Sequence, residues 1–193
     1  MREKAEIPVN LLSDGDATPL IEAWYEIVHL KQLYRQGWIL RGMAPSECET
    51  VAEHSFGNAM LCLLLLARHP ELDALKVLKL ALLHDLGEAY VGDITPQDRI
   101  EKADKNRLES DAVHKILAKI PGGETLIEDW LEYEHQQTEE ARFVKQIDRL
   151  ELAMQASVYH SQGKVDPAEF HEAARKHLTS GELISELEAL MSL

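Results

Sequence analysis

Residues 72–88 read LDALKVLKLALLHDLGE. The stretch predicts a short apolar helix from about Leu72 to Glu88 that delivers the dipeptide His84-Asp85 near its end. His69-Pro70 breaks the chain before it, and Val91-Gly92-Asp93-Ile94-Thr95-Pro96 is a turn after it. Upstream, Thr50 caps a helix reaching about Arg68, with Glu53 as its capping-box partner. Gly42 to Glu49 reads as a loop. Pro19 opens a helix that Leu20, Trp24, Ile27, Val28, Leu30, Lys31 and Tyr34 carry to Gly37. Residues 1–17 are a polar lead-in with turn residues at Ser13-Asp14-Gly15-Asp16.

Downstream, 97–119 form a charged helix ended by Pro121-Gly122-Gly123, and another helix fits 124–136. A long helix fits 138–161, with Phe143, Val144, Ile147, Leu150 and Met154 on one face. Asp166-Pro167-Ala168-Glu169 has a cap residue, then Pro at the first helical position, so a helix starts there. The last helix begins near Ser180. No run of alternating β-branched residues appears. The expected fold is all-α, a compact multi-helix bundle forming one domain over 1–193.

Composition narrows the function. Lys and Arg total 20 against 34 Asp and Glu, for a formal charge of −14. That field repels polyanions and anionic membrane surfaces, so neither long nucleic acid nor a membrane is the expected partner. A small phosphate ester still fits, because a metal and a few local cations reverse the field inside a cleft. The two cysteines, Cys48 and Cys62, form no CxxC pair. That usage suits a reducing cytosol. The longest apolar run, Ala59 to Ala67, is too short to span a bilayer, and no apolar signal core follows the first residues. The expected location is the cytoplasm.

His54, His84, Asp85 and Asp148 come from three predicted helices and make a four-point metal cage of imidazoles and carboxylates. Neighbouring side chains on a helix point about 100° apart, so His84 and Asp85 share one ion only if it lies in the angle between them. Glu88 shares their face, and Asp93 follows in the turn. Each also has a plain reading, a solvated glutamate and a turn aspartate capping the next helix. Together the six residues point to metal-assisted hydrolysis. His114 and His135 sit in charged helices and read as solvated. Trp38 is a core aromatic or the wall of a base pocket. Arg35, Arg41, Lys145 and Arg149 are the cations nearest in sequence to the pieces of the cleft.

Five segments carry a resemblance: Gly37-Trp38; Val51-Ala52-Glu53-His54-Ser55; Leu82-Leu83-His84-Asp85-Leu86-Gly87-Glu88; Val91 to Pro96; and Phe143-Val144-Lys145-Gln146-Ile147-Asp148. In that order the chain resembles the HD-domain metal-dependent phosphohydrolases, and among them the small 5'-deoxynucleotidases that act on deoxynucleoside monophosphates. The resemblance implies an all-helical bundle, commonly dimeric. It implies His54, His84, Asp85 and Asp148 as metal ligands, and Glu88 and Asp93 as catalytic acids. It also implies Trp38 against the nucleoside, and Asp93, Ile94, Thr95 and Pro96 as a substrate-contacting turn. Some members carry a phosphate-orienting Arg just before the tryptophan. Here that position is Gly37, with Arg41 or Arg35 as the substitute.

The expectation is a cytoplasmic, homodimeric, metal-dependent hydrolase of (deoxy)nucleoside 5'-monophosphates. Mn or Co is the favoured metal, with Zn, Fe or Ni as alternatives. Two other readings stay open: a phosphodiesterase or triphosphohydrolase on the same cage, and a non-catalytic metal-containing protein that binds a nucleotide.

Overall fold

The computed structural model describes residues 3–12 and 17–192. The turn expected at Ser13-Asp14-Gly15-Asp16 lies outside them. Ten α-helices follow one another: α1 Pro19–Ile27, α2 Gln36–Ile39, α3 Val51–Leu66, α4 Ala74–Leu83, α5 Glu88–Val91, α6 Lys102–Leu117, α7 Gly123–His135, α8 Glu139–Ser161, α9 Ala168–His177 and α10 Gly181–Met191. Among the described residues there is no strand, only two isolated bridges, Glu3 with Leu33 and Tyr34 with Thr50. The all-α bundle expected from the sequence is what the chain forms.

α8 is the spine. Its face of Val144, Ile147, Leu150 and Ala153 is fully buried, and α3, α4, α7, α9 and α10 pack around it. Cys62 and Leu65 of α3, Val77 and Leu80 of α4, and Leu183 and Leu187 of α10 complete that core. A second core joins Leu33, Val51, Leu86, Val113, Ile116 and Trp130. Burying these side chains contributes roughly 1.5–3 kcal/mol each. The two cores therefore hold α3, the end of α4, α5 and α8 in fixed relation.

Local chemistry sets the helix ends. Thr50 Oγ1 accepts the Glu53 N–H at 3.3 Å, and the Glu53 carboxylate accepts the Thr50 N–H at 2.6 Å, which is the expected capping box. Asp73 caps α4 through the Lys76 N–H. Asp166 Oδ1 accepts the Ala168 N–H at 3.0 Å where α9 starts.

Three helices are shorter than the sequence suggests. The helix from Pro19 stops at Ile27, and Val28–Lys31 tightens into a 3₁₀ turn. The chain from Leu33 to Arg35 instead pairs with the segment entering α3: Val51 N–H donates to Leu33 O at 2.9 Å, and Arg35 N–H to Glu49 O at 3.0 Å. α4 stops at Leu83 rather than Glu88. The His84 side chain takes the Ala81 carbonyl, and the backbone bonds shorten at Leu86 to Leu83 and at Glu88 to Asp85. The charged helix starts at Lys102 rather than 97, because Thr95 caps a short 3₁₀ turn at Pro96–Asp98 and Arg99 adopts φ +55.

Candidate active site

The start of α3, the end of α4 and the middle of α8 converge. His54 sits in the first turn of α3, where the capping box fixes the backbone. His84 and Asp85 lie in the turn that ends α4, and Asp148 projects from the middle of α8. His84 Nε2 lies 3.3 Å from His54 Nε2 and 3.1 Å from Asp85 Oδ2. His54 Nε2 lies 3.7 Å from Asp85 Oδ2 and 3.2 Å from Asp148 Oδ1. His84, the C-cap of α4, keeps helical φ and ψ, and its Nε2 still approaches Asp85 Oδ2 to 3.1 Å, in the angle between the two side chains.

The outer nitrogens show which atoms are free to bind. His84 Nδ1–H donates to Ala81 O at 2.8 Å, and His54 Nδ1–H donates to Glu151 Oε2 at 2.7 Å. Each ring therefore turns its Nε2 toward the other and toward carboxylate oxygen. Two ring nitrogens 3.3 Å apart, ringed by carboxylates, call for positive charge at the point where they meet. Two ligands at right angles on a metal with bonds of about 2.1 Å stand about 3 Å apart, close to the observed spacing. His54, His84 and Asp85 meet as a metal-binding group, and Asp148 joins through His54. The residues present fit a divalent cation, each imidazole oriented by an outer acceptor.

Electrostatics agree. Burial opposes a charge on His54, as does Arg35, but the hydrogen bonds to Asp148 and Glu151 outweigh both and push its pKa up to about 10. Positive charge is thus favoured at the cluster's centre. Burial also opposes the Asp85 charge, yet His84, Arg35 and His54 hold that carboxyl below the usual range. Asp148 is held low in the same way, against burial, by His54, Lys145 and Arg149.

The imidazoles form the floor, and the site opens at Asp85, Arg35 and Asp93, whose side chains keep 19%, 15% and 10% exposure. Gly92 adopts φ +81, a backbone that turns the chain out of α5 and aims Asp93 at Arg35. Asp93 Oδ1 accepts from Arg35 Nη1 at 3.1 Å, and its Oδ2 accepts the Gln36 N–H at 2.5 Å. Arg35 Nη1 also lies 3.6 Å from Asp85 Oδ2. Glu88 is buried, and its Oε2 has no hydrogen-bond partner among the described residues. Burial first, then the charges of Asp85 and Asp93, push its carboxyl well above the usual range, against Arg35 and Lys105, so the site favours its protonated form.

Other expected residues are placed elsewhere. Trp38 is 1% exposed; its ring packs on Tyr159 and Phe170, and its Nε1–H donates to Glu49 at 2.7 Å. In this conformation it is a core residue and offers no face to a nucleoside. Arg41 pairs with Glu169 and lies over the Phe170 ring. Of the two substitutes considered for the arginine absent at Gly37, it is Arg35 that enters the site. Thr95 and Pro96 serve the cap of the short 3₁₀ turn. Ile94 lines a cavity of about 490 Å³ with Tyr90, Leu108 and Lys115. A cavity of about 1070 Å³ beside α8 and α9, lined by Met154, Val158 and His171, contains none of the cluster residues. His114 and His135 are exposed, as expected. Glu151 was missed. Its signal is its place three residues after Asp148 on α8, which puts both carboxylates on one face.

Comparison with known proteins agrees with this geometry. The HD domain family profile matches residues 27–191. The chain is 34% identical over 187 residues to 5'-deoxynucleotidase HDDC2 of Mus musculus, covering 92% of this chain and 91% of that one. The PH0347 protein of Pyrococcus horikoshii OT3 superposes with a TM-score of 0.73 at 32% identity, over 88% of this chain and 97% of that one. A predicted metal-dependent phosphohydrolase of Magnetospirillum magnetotacticum superposes at 0.67 with 25% identity, over 90% and 92%. A match over nearly the whole bundle, on a chain whose His-Asp pair stands at the centre of a two-imidazole, two-carboxylate cluster, makes this protein a member of the HD-domain family.

Proposed function

We propose that this single-domain chain is a metal-dependent phosphomonoesterase that hydrolyses deoxynucleoside 5'-monophosphates to nucleoside and phosphate. The observation that carries the reading is the meeting of His54 and His84 Nε2 with Asp85 and Asp148, with Arg35, Asp93 and the buried Glu88 beside them. A purely structural metal site has no need of those last three. The name of the Mus musculus relative supports the substrate class.

His54, His84, Asp85 and Asp148 would hold the divalent metal, with Mn or Co favoured and Zn, Fe or Ni as alternatives. Bound there, the metal supplies Lewis acidity toward the phosphate and the attacking water. Arg35 stands at the open edge, where its guanidinium gives the phosphate a second positive contact. Asp93 is fixed by Arg35 and by the Gln36 N–H. A carboxylate keeps further lone pairs beyond those two bonds, and Asp93 uses one to take a proton from the water. Glu88, whose protonated form burial favours, gives its proton to the departing 5'-oxygen. One P–O bond forms and one breaks, one proton reaches Asp93 and one leaves Glu88. Ile94 and its cavity support placing the nucleoside on the α5–α6 side, the volume being adequate for a small ligand.

The test is phosphate release by metal-stripped protein resupplied with Mn, Co, Zn or Mg. The panel holds deoxy- and ribonucleoside 5'-monophosphates, a nucleoside triphosphate and a phosphodiester. Release from the deoxymonophosphates that depends on added metal is the expected result. Cleavage of the diester or triphosphate alone overturns the substrate, and silence with metal bound overturns the activity.

The reading extends to a cytoplasmic homodimer. Among the described residues no helix is long and apolar enough to cross a membrane. From Ala59 to Leu66 α3 is apolar on all sides, yet Met60, Leu63 and Leu64 are exposed there, as are Phe56 one turn earlier and Leu75 and Leu82 on the adjacent α4. A helix of that pattern is normally covered all round. Lys76 and Lys79 of α4 are engaged with Glu132 and Asp129 of α7. The outer face is therefore an uncharged strip on a chain of charge −14, where two like-charged copies meet without repulsion. It offers several hundred Å² of apolar side chain, against the ~800 Å² that a standard interface takes from each partner. Light scattering is expected to give twice the chain mass of 21.8 kDa. A mass of one chain at micromolar concentration rejects the dimer.

A further inference from the structure

We infer that Gly57 and Glu151 form a positioning pair for His54: the missing side chain at Gly57 makes the space through which Glu151 reaches the ring and aims its Nε2. The inference rests on the metal-site reading above. Asp148 and Glu151 lie three residues apart on α8, and both meet one imidazole of α3. Asp148 Oδ1 is 3.2 Å from Nε2, and Glu151 Oε2 is 2.7 Å from Nδ1. The ring is clamped between two carboxylates of a single helix. A carboxylate on Nδ1–H fixes the tautomer that leaves Nε2 free and makes that nitrogen a stronger donor.

Glu151 reaches this position only because Gly57 has no side chain. A Cβ built there collides with Glu151 Oε1, and stands 3.2 Å from its Cδ and 3.5 Å from its Cγ. Gly57 lies in the interior of α3, outside the positive-φ glycines, so its backbone does not require glycine. Glycine in that place costs about 1 kcal/mol of helix stability relative to alanine. Room for Glu151 is what it provides in return. Behind the clamp, Glu49 is pushed up to about 7 by burial and by the charge of Glu151. It accepts from Trp38 Nε1, so buried Trp38 braces the same carboxylate pair.

The experiment measures affinity for Mn and for Co, by chelator competition and by the visible spectrum of the Co-loaded full chain. The proteins are the parent, Gly57→Ala, Glu151→Gln and the double substitution. Both single substitutions spare the fold: Glu151→Gln is isosteric, and Gly57→Ala displaces only the end of a flexible side chain. Each is expected to weaken metal binding 10- to 100-fold. Once Glu151 is replaced, Gly57→Ala is expected to cost nothing further.

Parent-like affinity in Gly57→Ala overturns the inference. So does an equal loss from Gly57→Ala with and without Glu151, which would place its effect in the helix rather than in the clamp. A parent that binds neither metal overturns the site and this inference together. A parent that binds metal but cleaves no ester fails the functional reading alone, because affinity is read without turnover.

Discussion

Asp85→Ala is expected to lower metal-dependent phosphate release on the order of a thousandfold or more, and to remove the bound metal with it. Asp85 Oδ2 is the oxygen shared by the cluster, near His84 Nε2, His54 Nε2 and Arg35 Nη1 at once. Its loss does two things. It takes one of two carboxylates from a site whose other members are imidazole rings. It also leaves the Arg35 guanidinium less balanced, so a positive charge beside the site opposes any incoming cation. Metal content after gel filtration, measured beside phosphate release and melting temperature, separates these effects from unfolding. Asp85→Asn, which keeps the shape without the charge, is expected to fall nearly as far. Full metal occupancy with parent-like turnover in Asp85→Ala would show that Asp85 is not a ligand.

The cluster of His54, His84, Asp85 and Asp148 was legible because few residue types suit a metal site, and a His-Asp pair behind an apolar helix is an unusual combination. The core face of α8 was legible from helical spacing alone: Val144, Ile147 and Leu150 recur every three or four residues and are fully buried. Helix ends were less so. The stop at Ile27 depends on pairing between Leu33–Arg35 and the segment 49–51, a contact distant in sequence that no local pattern announces. That same contact brings Arg35 to Asp93, so the feature that spoiled the helix boundary is the one that builds the open edge of the site.

For Trp38 the sequence left two readings open, a core aromatic or the wall of a pocket. Its place in a recognisable segment suggested a ligand wall, whereas packing on Tyr159 and Phe170, far along the chain, decides its burial. Gly57 is silent in sequence for a related reason. A glycine inside a helix reads as a weak position until the carboxylate occupying its missing side chain is known.

Asp93→Ala is expected to retain metal and to lose about 10²- to 10⁴-fold in kcat, the range a positioned proton acceptor contributes. Asp93 lies outside the ligand set, and its oxygens are engaged by Arg35 and by the Gln36 N–H. Removing it therefore leaves the two imidazoles, Asp85 and Asp148 as they were. It also releases Arg35 to Asp85 alone, so KM is expected to change as the phosphate contact shifts. Arg35→Lys isolates that second effect. It keeps the charge but not the paired N–H geometry, and is expected to act mainly on KM. Glu88→Gln removes the proton that Glu88 gives while preserving its shape and its neutral state in the buried pocket. A loss in kcat comparable with Asp93→Ala, again at full metal occupancy, is expected from it. The proposed opposite proton transfers of these two carboxyls rest on the difference in their surroundings. Asp93 is held by a guanidinium and a backbone N–H, and Glu88 is buried with an oxygen that no donor satisfies. Parent-like turnover in Asp93→Ala would remove it as the base, and a normal rate in Glu88→Gln would remove Glu88 as the acid.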